Sequence, residues 1–258
     1  MADIETAIKY FWMEKSFLPY PLGYPLFSPY HLLTIFLLIL SAVLVYRAFR
    51  NWDKDRQLLF LRAIVVFLPF LEAFKIGLLV SQGVLNATYL PLYMCSMGIY
   101  VFPFIVFSTN PKITDYAATV SLLVFTPGAI AALIFPDWIT FYHPLSFMSI
   151  YSYLWHIIVI AFPVYAHSIG LCTVKKYSII YILPFFAVLS PLIITADHMF
   201  GCNFWFLEQP SINGPFAAIY DFLGYPLYVL FIIFTFLVFV FITQSVFIIL
   251  QNRGKRDA

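Results

Sequence analysis

Charge is what this sequence has least of. Only 10% of its 258 residues are Asp, Glu, Lys or Arg, against 63% hydrophobic and 21% aromatic. One soluble core cannot hide that much apolar surface, so lipid is the expected solvent. A formal net charge of +2, with no Lys/Arg cluster interleaved with aromatics, excludes a nucleic-acid groove. Cysteine is nearly as sparse: Cys95, Cys172 and Cys202 are too few for a disulfide framework, and none falls in a CxxC pair. HExxH, GxSxG and P-loop motifs are absent, and no metal or cofactor is expected. There is no Gly/Ser linker and no internal repeat, so one domain is expected. The first 28 residues lack the basic and continuous apolar regions of a secretory signal, and no cleaved leader is expected.

What remains is apolar length. With ~20 residues per crossing, spans fall near 30–46, 59–80, 89–107, 115–135, 144–166, 178–196 and 220–248, an all-α membrane protein with a seven-helix transmembrane bundle. Of 14 basic residues, eleven (Arg47, Arg50, Lys54, Arg56, Arg62, Lys112, Lys175, Lys176, Arg253, Lys255 and Arg256) collect on one side of this arrangement. The positive-inside rule then places the N-terminus outside and the C-terminus in the cytoplasm. The expected layout is an N-terminal interfacial segment at 1–28, the seven-helix domain at 29–250 and a basic cytoplasmic tail at 251–258. Ile4, Ile8, Phe11 and Trp12 repeat at helical spacing in the first segment, which fits a helix lying at the membrane interface; a tail without structure fits equally. The longest connection, 197–219, is aromatic and rich in Gly and Pro, suited to a lid or an interfacial loop.

Ionisable residues within spans each need a reason, because they are costly in lipid unless paired or hydrated. Glu72 and Lys75, at i and i+3 in the second span, are spaced to pair on one helix face. Ser146, Ser149, Ser152, Tyr153 and His156 form a polar stripe on the fifth span, which turns His156 toward protein or a cavity. Such a stripe also serves helix packing. His143 begins that helix, and His31 begins the first. Cys95 lies ~9 Å below the outer end of the third span and His156 ~18 Å down the fifth, so one cavity could hold both. A disulfide from Cys95 to Cys202 is the competing reading of these cysteines. A thiol beside an imidazole is the minimal kit for covalent acyl transfer, and Glu72 could orient the imidazole.

A series of short motifs resembles a known family. Phe27-Ser28-Pro29-Tyr30-His31 leads into the first helix, Glu72 follows, and Leu90-Pro91-Leu92-Tyr93-Met94-Cys95 comes next. His143 and His156, Gly201-Cys202-Asn203-Phe204-Trp205-Phe206-Leu207 with Pro210, and Leu223-Gly224-Tyr225-Pro226-Leu227-Tyr228 complete the order. Together they resemble the YwaF-like bacterial integral membrane proteins and their animal relatives, the transmembrane protein 164 group. The resemblance implies a seven-helix fold and, from the animal branch, a cysteine-dependent acyltransferase moving fatty acyl chains between phospholipids. Carried over by motif, Cys95 is the acyl-accepting nucleophile, His156 its base and His143 the fallback, with His31, Glu72, Lys75 and Asn203 in supporting roles. The chain departs from the bacterial pattern at Tyr93, where those members often carry His.

The expected partner is a membrane phospholipid or other acyl lipid, in a bacterial cell membrane or a eukaryotic endomembrane. Two other classes compete. A seven-helix receptor shares the topology, although 220–248 holds no Lys for a retinal Schiff base. A small-solute transporter would line its path with Glu72, Lys75 and His156, but inverted repeats are absent.

Overall fold

The computed structural model describes residues 4–211 and 214–254, so Lys255 and Arg256 of the expected basic tail lie outside the described residues. Regular structure among those residues is entirely helical. Helix α1 is Ile4–Lys9, α2 Pro29–Arg50, α3 Lys54–Ser81 and α4 Gly98–Phe107, the last entered through a 3-10 turn at Met94–Met97. Then come α5 Pro111–Val120, α6 Thr126–Ile134, α7 Phe147–Ser168, α8 Ser178–Tyr181, α9 Leu183–Phe200, α10 Ala217–Leu223 and α11 Leu227–Gly254.

Local chemistry sets these boundaries. The Ser28 hydroxyl accepts the His31 N–H before Pro29 at the first turn of α2, and Asp53 does the same for Arg56 at α3. Asn110 caps α5 ahead of Pro111, and Ser146 caps α7. Each cap satisfies an orphan N–H, and Pro at the first turn loses nothing by lacking one.

Six helical stretches are long and apolar enough to cross a membrane: 29–50, 54–81, 111–140, 147–168, 178–200 and 227–252. The chain is therefore a multi-pass integral membrane protein. The apolar helix Met94–Phe107 reaches roughly 21 Å, short of a ~30 Å hydrocarbon core. Here the expected helix over 89–107 needs correction. Pro91 keeps Leu90 extended (φ −65°, ψ 145°), and helix begins only at Met94. The expected span 220–248 is likewise two helices, broken where Gly224 takes φ +66° ahead of Pro226. The expected loop 197–219 shortens to 201–216, because α9 continues to Phe200 and is capped by left-handed Gly201.

Helices α5 and α6 are joined without a break by a fully buried π turn at Ser121–Phe125. It precedes Pro127, whose missing N–H disrupts the ordinary i to i−4 ladder. Its Phe125 packs on Phe102, which is stacked on Phe162 at 4.2 Å.

Residues 10–28 form a strap across the end of the bundle remote from Arg47, Arg50 and Lys175. The Phe11 carbonyl accepts the Phe147 N–H (2.9 Å), and the N–H groups of Leu22 and Tyr24 donate to Phe141 and Ile139 (3.0 and 2.9 Å). At Gly23 a Cβ would stand 1.9 Å from the Ile139 carbonyl oxygen, so only glycine permits the approach. The buried Glu14 carboxylate is the strap's main tie. It accepts the hydroxyls of Ser16, Tyr89 and Tyr142, while its N–H donates to Gln82 Oε1 (3.0 Å). Burial by itself pushes the Glu14 pKa up, but the bonds from Ser16 and Tyr89 and the nearby Lys15 outweigh it, leaving the group below the ordinary carboxylate value.

A carboxylate depressed in the folded state contributes stability that is complete above its unfolded pKa of ~4.5 and is lost as pH falls through its lower folded value. Limited proteolysis in detergent should therefore leave 10–28 intact at neutral pH and nick it in Glu14→Ala. Acid-stable protease should cut the wild-type strap only well below pH ~4.5. A Glu14→Ala strap as resistant as wild type would show that the backbone bonds alone hold it.

Candidate functional site

Beneath the strap lies a cavity of about 830 Å³, within the range of small-molecule sites. Its walls come from the 88–96 segment, residues 135–142, α7, and residues 197–211 at the end of α9 and in the loop after it. Cys95, His156, Lys75 and Asn203 all line it, whereas Glu72, His143 and His31 do not. The three cysteines are free, so the alternative Cys95–Cys202 disulfide does not form.

The segment carrying Cys95 is the constructional problem of the site. Between Tyr89 and Met94 the chain is not helical, and irregular backbone packed among apolar helices must find partners for its polar groups. Besides bonds within the segment, three side chains from three elements supply them. Lys75 Nζ of α3 donates to the Tyr89 carbonyl (3.1 Å), Trp205 Nε1 of the 201–216 loop to Leu92 (3.0 Å), and Trp155 Nε1 of α7 to Cys95 (3.3 Å). The held carbonyls recur every three residues. The Cys95 sulfur sits among the N–H groups of Cys95 and Ser96 and the Ser96 hydroxyl, at the first turn of the helix that continues through α4.

Glu72 and Lys75 form the pair their spacing suggests, with Oε1 and Nζ 2.7 Å apart and both side chains buried. The second Glu72 oxygen accepts the Tyr151 hydroxyl, and Lys75 also lies over the Tyr151 ring at 5.1 Å. The network spans α3, α7 and the Tyr89 carbonyl, so it ties the cavity floor together. Glu72 is thus committed to Lys75 and Tyr151, not to an imidazole.

His156 Nδ1 lies 2.6 Å from the Ser152 carbonyl. A carbonyl only accepts, so Nδ1 carries the proton and Nε2 keeps its lone pair. The ring stacks on Trp138 at 4.9 Å and 17°. Among the described residues, Cys95 and His156 do not hydrogen-bond each other directly. His31 is fully buried and clamped: Nδ1 accepts the Phe27 N–H (3.1 Å) and Nε2 donates to the Leu133 carbonyl (2.9 Å). It fastens the start of α2 to the end of α6. His143 Nδ1 accepts the Leu145 N–H (3.1 Å) in the turn before α7. Asn203 pins its own loop, donating to the Gln209 carbonyl and accepting the Glu208 N–H.

Sequence reasoning missed Tyr151 and Trp155, because aromatics are abundant here and nothing local marks those that bond across elements; Trp205 stood in the Gly201–Leu207 motif, but as an interfacial anchor and not as a donor to Leu92. Asp197 was hidden at the end of a span, where it holds the Phe204 N–H at 2.8 Å.

Glu72→Leu and Glu72→Gln each remove the charge that balances Lys75 and should each cost about 3–5 kcal/mol; the Gln amide, which still accepts from Tyr151, should soften its loss by about 1 kcal/mol. Thermal melting in detergent compares both with wild type, and a Glu72→Gln protein that melts with wild type would mean that the charge pairing is irrelevant. Trp155→Phe and Trp205→Phe should each cost about 1–3 kcal/mol by stranding a carbonyl.

No curated protein and no solved structure matches this chain. The TMEM164 family matches it over residues 26–243, which takes in the α2 cap, the bracketed Cys95 segment, α7 and the loop over the cavity. The chain belongs to the TMEM164 family.

Proposed function

We propose that this protein is a membrane-embedded acyltransferase that moves fatty acyl chains between lipids through a Cys95 thioester. The observation that supports it best is that the Cys95 thiol and the His156 imidazole line one cavity, with the sulfur at a helix start and the imidazole in the tautomer that leaves Nε2 free to accept a proton. In this reading Cys95 Sγ bonds to the carbonyl carbon of a lipid ester while its proton passes to His156 Nε2. Collapse breaks the ester C–O bond, and the leaving alkoxide takes that proton. The hydroxyl of a second lipid then reverses these steps and carries the acyl group away. Because the two side chains are not in direct hydrogen bond, substrate or a bridging water relays the proton. N–H groups at the helix start are suited to stabilise the oxyanion. Lys75 and Asn203 contribute to the cavity wall, Glu72 supports Lys75, and His31 supports the fold around α2. His143 is the fallback base in this scheme.

The same reading keeps seven crossings, with Met94–Phe107 and the bracketed residues before it making the third, the N-terminus outside and the C-terminus in the cytoplasm. Support comes from the placement of basic side chains. Arg62 donates to the Val106 carbonyl at the end of α4 (3.2 Å), and Lys175 pairs with Asp115 of α5 (3.8 Å), so these charges gather at the end away from the cavity. The positive-inside rule makes that end cytoplasmic and opens the cavity to the outer side. Residues 1–28 then act as an outer segment and 251–258 as a cytoplasmic tail.

Cells expressing wild type, Cys95→Ala and His156→Ala at matched levels separate the possibilities by lipid acyl composition. Wild type should alter it, Cys95→Ala should not, and His156→Ala should lower the effect on the order of 100-fold or more. A Cys95→Ala protein as active as wild type would end the thioester mechanism. For topology, a single Cys near Asp137 should label from outside and one near Lys175 only after permeabilisation.

A further inference from the structure

One wall of the cavity carries polar groups that the acyl transfer does not use. It is built where α9 ends and the chain turns back into the 201–216 loop. Asp197, in the last turn of α9, is only 1% exposed and lines the cavity. Its Oδ1 accepts the Phe204 N–H (2.8 Å) and its carbonyl the Cys202 N–H (3.0 Å), which fixes the side chain. Its Oδ2 is buried and receives no donor among the described residues. The neighbouring carboxylates are engaged: Asp137 accepts the Ser211 hydroxyl (2.6 Å), and Glu208 Oε1 faces His198 Nδ1 at 3.3 Å. Trp138 lines the same cavity with the opposite deficit, a buried Nε1 that has no acceptor among the described residues. The Tyr93 phenol lies within electrostatic reach of both Asp137 and Asp197, so the two segments meet around it. An acceptor without a donor and a donor without an acceptor each cost free energy when buried, and a ligand that completes both recovers it.

The aromatic part of this wall is held at a cost. Phe206 takes φ +53°, a left-handed conformation that a bulky side chain rarely adopts. Asn203 enforces the turn: its carbonyl accepts the Phe206 N–H (3.3 Å) while its side chain closes on Gln209 and Glu208. The Phe206 ring stands 6.1 Å from the Tyr93 ring, and both line the cavity. This wall borders the surface, because the His198 side chain next to Asp197 is 64% exposed.

The chemistry of the two unmet groups selects the ligand. A hydroxyl donates to a carboxylate and accepts from an indole N–H, so hydroxyls satisfy both. An ammonium would donate to Asp197 but offers Trp138 nothing. A phosphate would accept from Trp138 but meets Asp137, Asp197 and Glu208 as like charges. Lys75 does not offset them, being balanced by Glu72, and Lys15 lies over Phe141 beside Glu14. Aromatic rings present a negative face to C–H groups, and a sugar ring offers C–H faces between its hydroxyls.

We propose that this wall binds the uncharged sugar headgroup of a glycosyl lipid, with Asp197 Oδ2 accepting from and Trp138 Nε1 donating to its hydroxyls, and Phe206 and Tyr93 against its C–H face. The assignment names a lipid for the acyl-transfer reading and rests on that reading only in placing a lipid in the cavity. No bond is made or broken at this wall; its contribution is to choose the headgroup and hold it near the surface while the acyl chains reach inward.

The test measures binding by native mass spectrometry to full-length protein carrying Cys95→Ala. With the thiol removed no acyl transfer intervenes, so a failed thioester mechanism and a failed headgroup assignment show separately. The probes share dioleoyl chains and differ in headgroup: glucosyl diacylglycerol, phosphatidylethanolamine, phosphatidylglycerol and plain diacylglycerol. The glucosyl lipid should bind on the order of 10-fold or more tighter than each of the others. Asp197→Asn, whose remaining oxygen still holds the Phe204 N–H, should remove most of that preference and leave diacylglycerol binding unchanged. Trp138→Phe, which keeps a ring stacked on His156, should lower glucosyl-lipid affinity by roughly 3- to 10-fold with the same selectivity. Equal binding of the four lipids, tighter binding of either phospholipid, or a glucosyl preference that survives Asp197→Asn would overturn the proposal. So would an Asp197→Asn protein that loses glucosyl lipid and diacylglycerol equally while melting with the parent. If Asp197→Asn melts lower, Trp138→Phe decides: an undiminished preference there overturns it.

Discussion

The structure around the cavity depends on one constraint: a short stretch of backbone packed among apolar helices is not itself helical. Pro91 disfavours a helix through Leu90; the Leu90 and Tyr93 carbonyls find N–H partners within the segment, and those of Tyr89 and Leu92 are met from other elements. Lys75 and Trp205 supply these two, and Trp155 reaches the Cys95 carbonyl in the turn that follows. The remaining pieces follow from it. Lys75 can reach a carbonyl in this environment only because Glu72 balances its charge, and Glu72 is in turn completed by Tyr151. Tyr89 sends its hydroxyl up to Glu14, which carries the same chain of bonds into the strap.

This makes the site an assembly of distant parts. Donors to the Cys95 segment come from α3, α7 and the 201–216 loop, so the cavity takes shape only once these have packed. A bilayer gives helices little hydrophobic reason to associate, and polar bonds between elements carry more of the specificity. Buried ties such as His31 to Leu133, Tyr24 to Tyr153 and Tyr165 to Ala42 follow the same logic elsewhere in the bundle.

How far the sequence could be read follows from the range of each signal. Apolar length is local and strong, so six of the long helices were legible from residue type alone. Helix ends were legible where Ser28, Asp53, Asn110 and Ser146 mark them. The i to i+3 pairing of Glu72 with Lys75 was legible because it lies on one helix. What was not legible involves two elements at once. Nothing beside Glu14 reveals that Tyr89 and Tyr142 will enclose it, and nothing in a chain with 18 tyrosines and 30 phenylalanines distinguishes Tyr151. The Pro91 and Gly224-to-Pro226 interruptions were visible, but their consequence was outweighed by the apolar runs around them. The contact of Cys172 with His167 was passed over because it forms only through the chain reversal at Gly170.

The two thiol and imidazole pairs differ in a way that bears on their chemistry. At His156 the ring is pinned through Nδ1 to a carbonyl of its own helix, and Nε2 remains without a protein thiol on it. Nothing in that arrangement moves Cys95 a proton until a third molecule lies between them, so reaction there is tied to occupancy of the cavity. At His167, Nδ1 lies 3.2 Å from the Cys172 carbonyl and 3.6 Å from its sulfur; a carbonyl only accepts, so this nitrogen carries the proton and offers the thiol no base. The pair that touches therefore ties down the chain reversal after α7, and the pair that stands apart is the one whose imidazole keeps a lone pair for a proton.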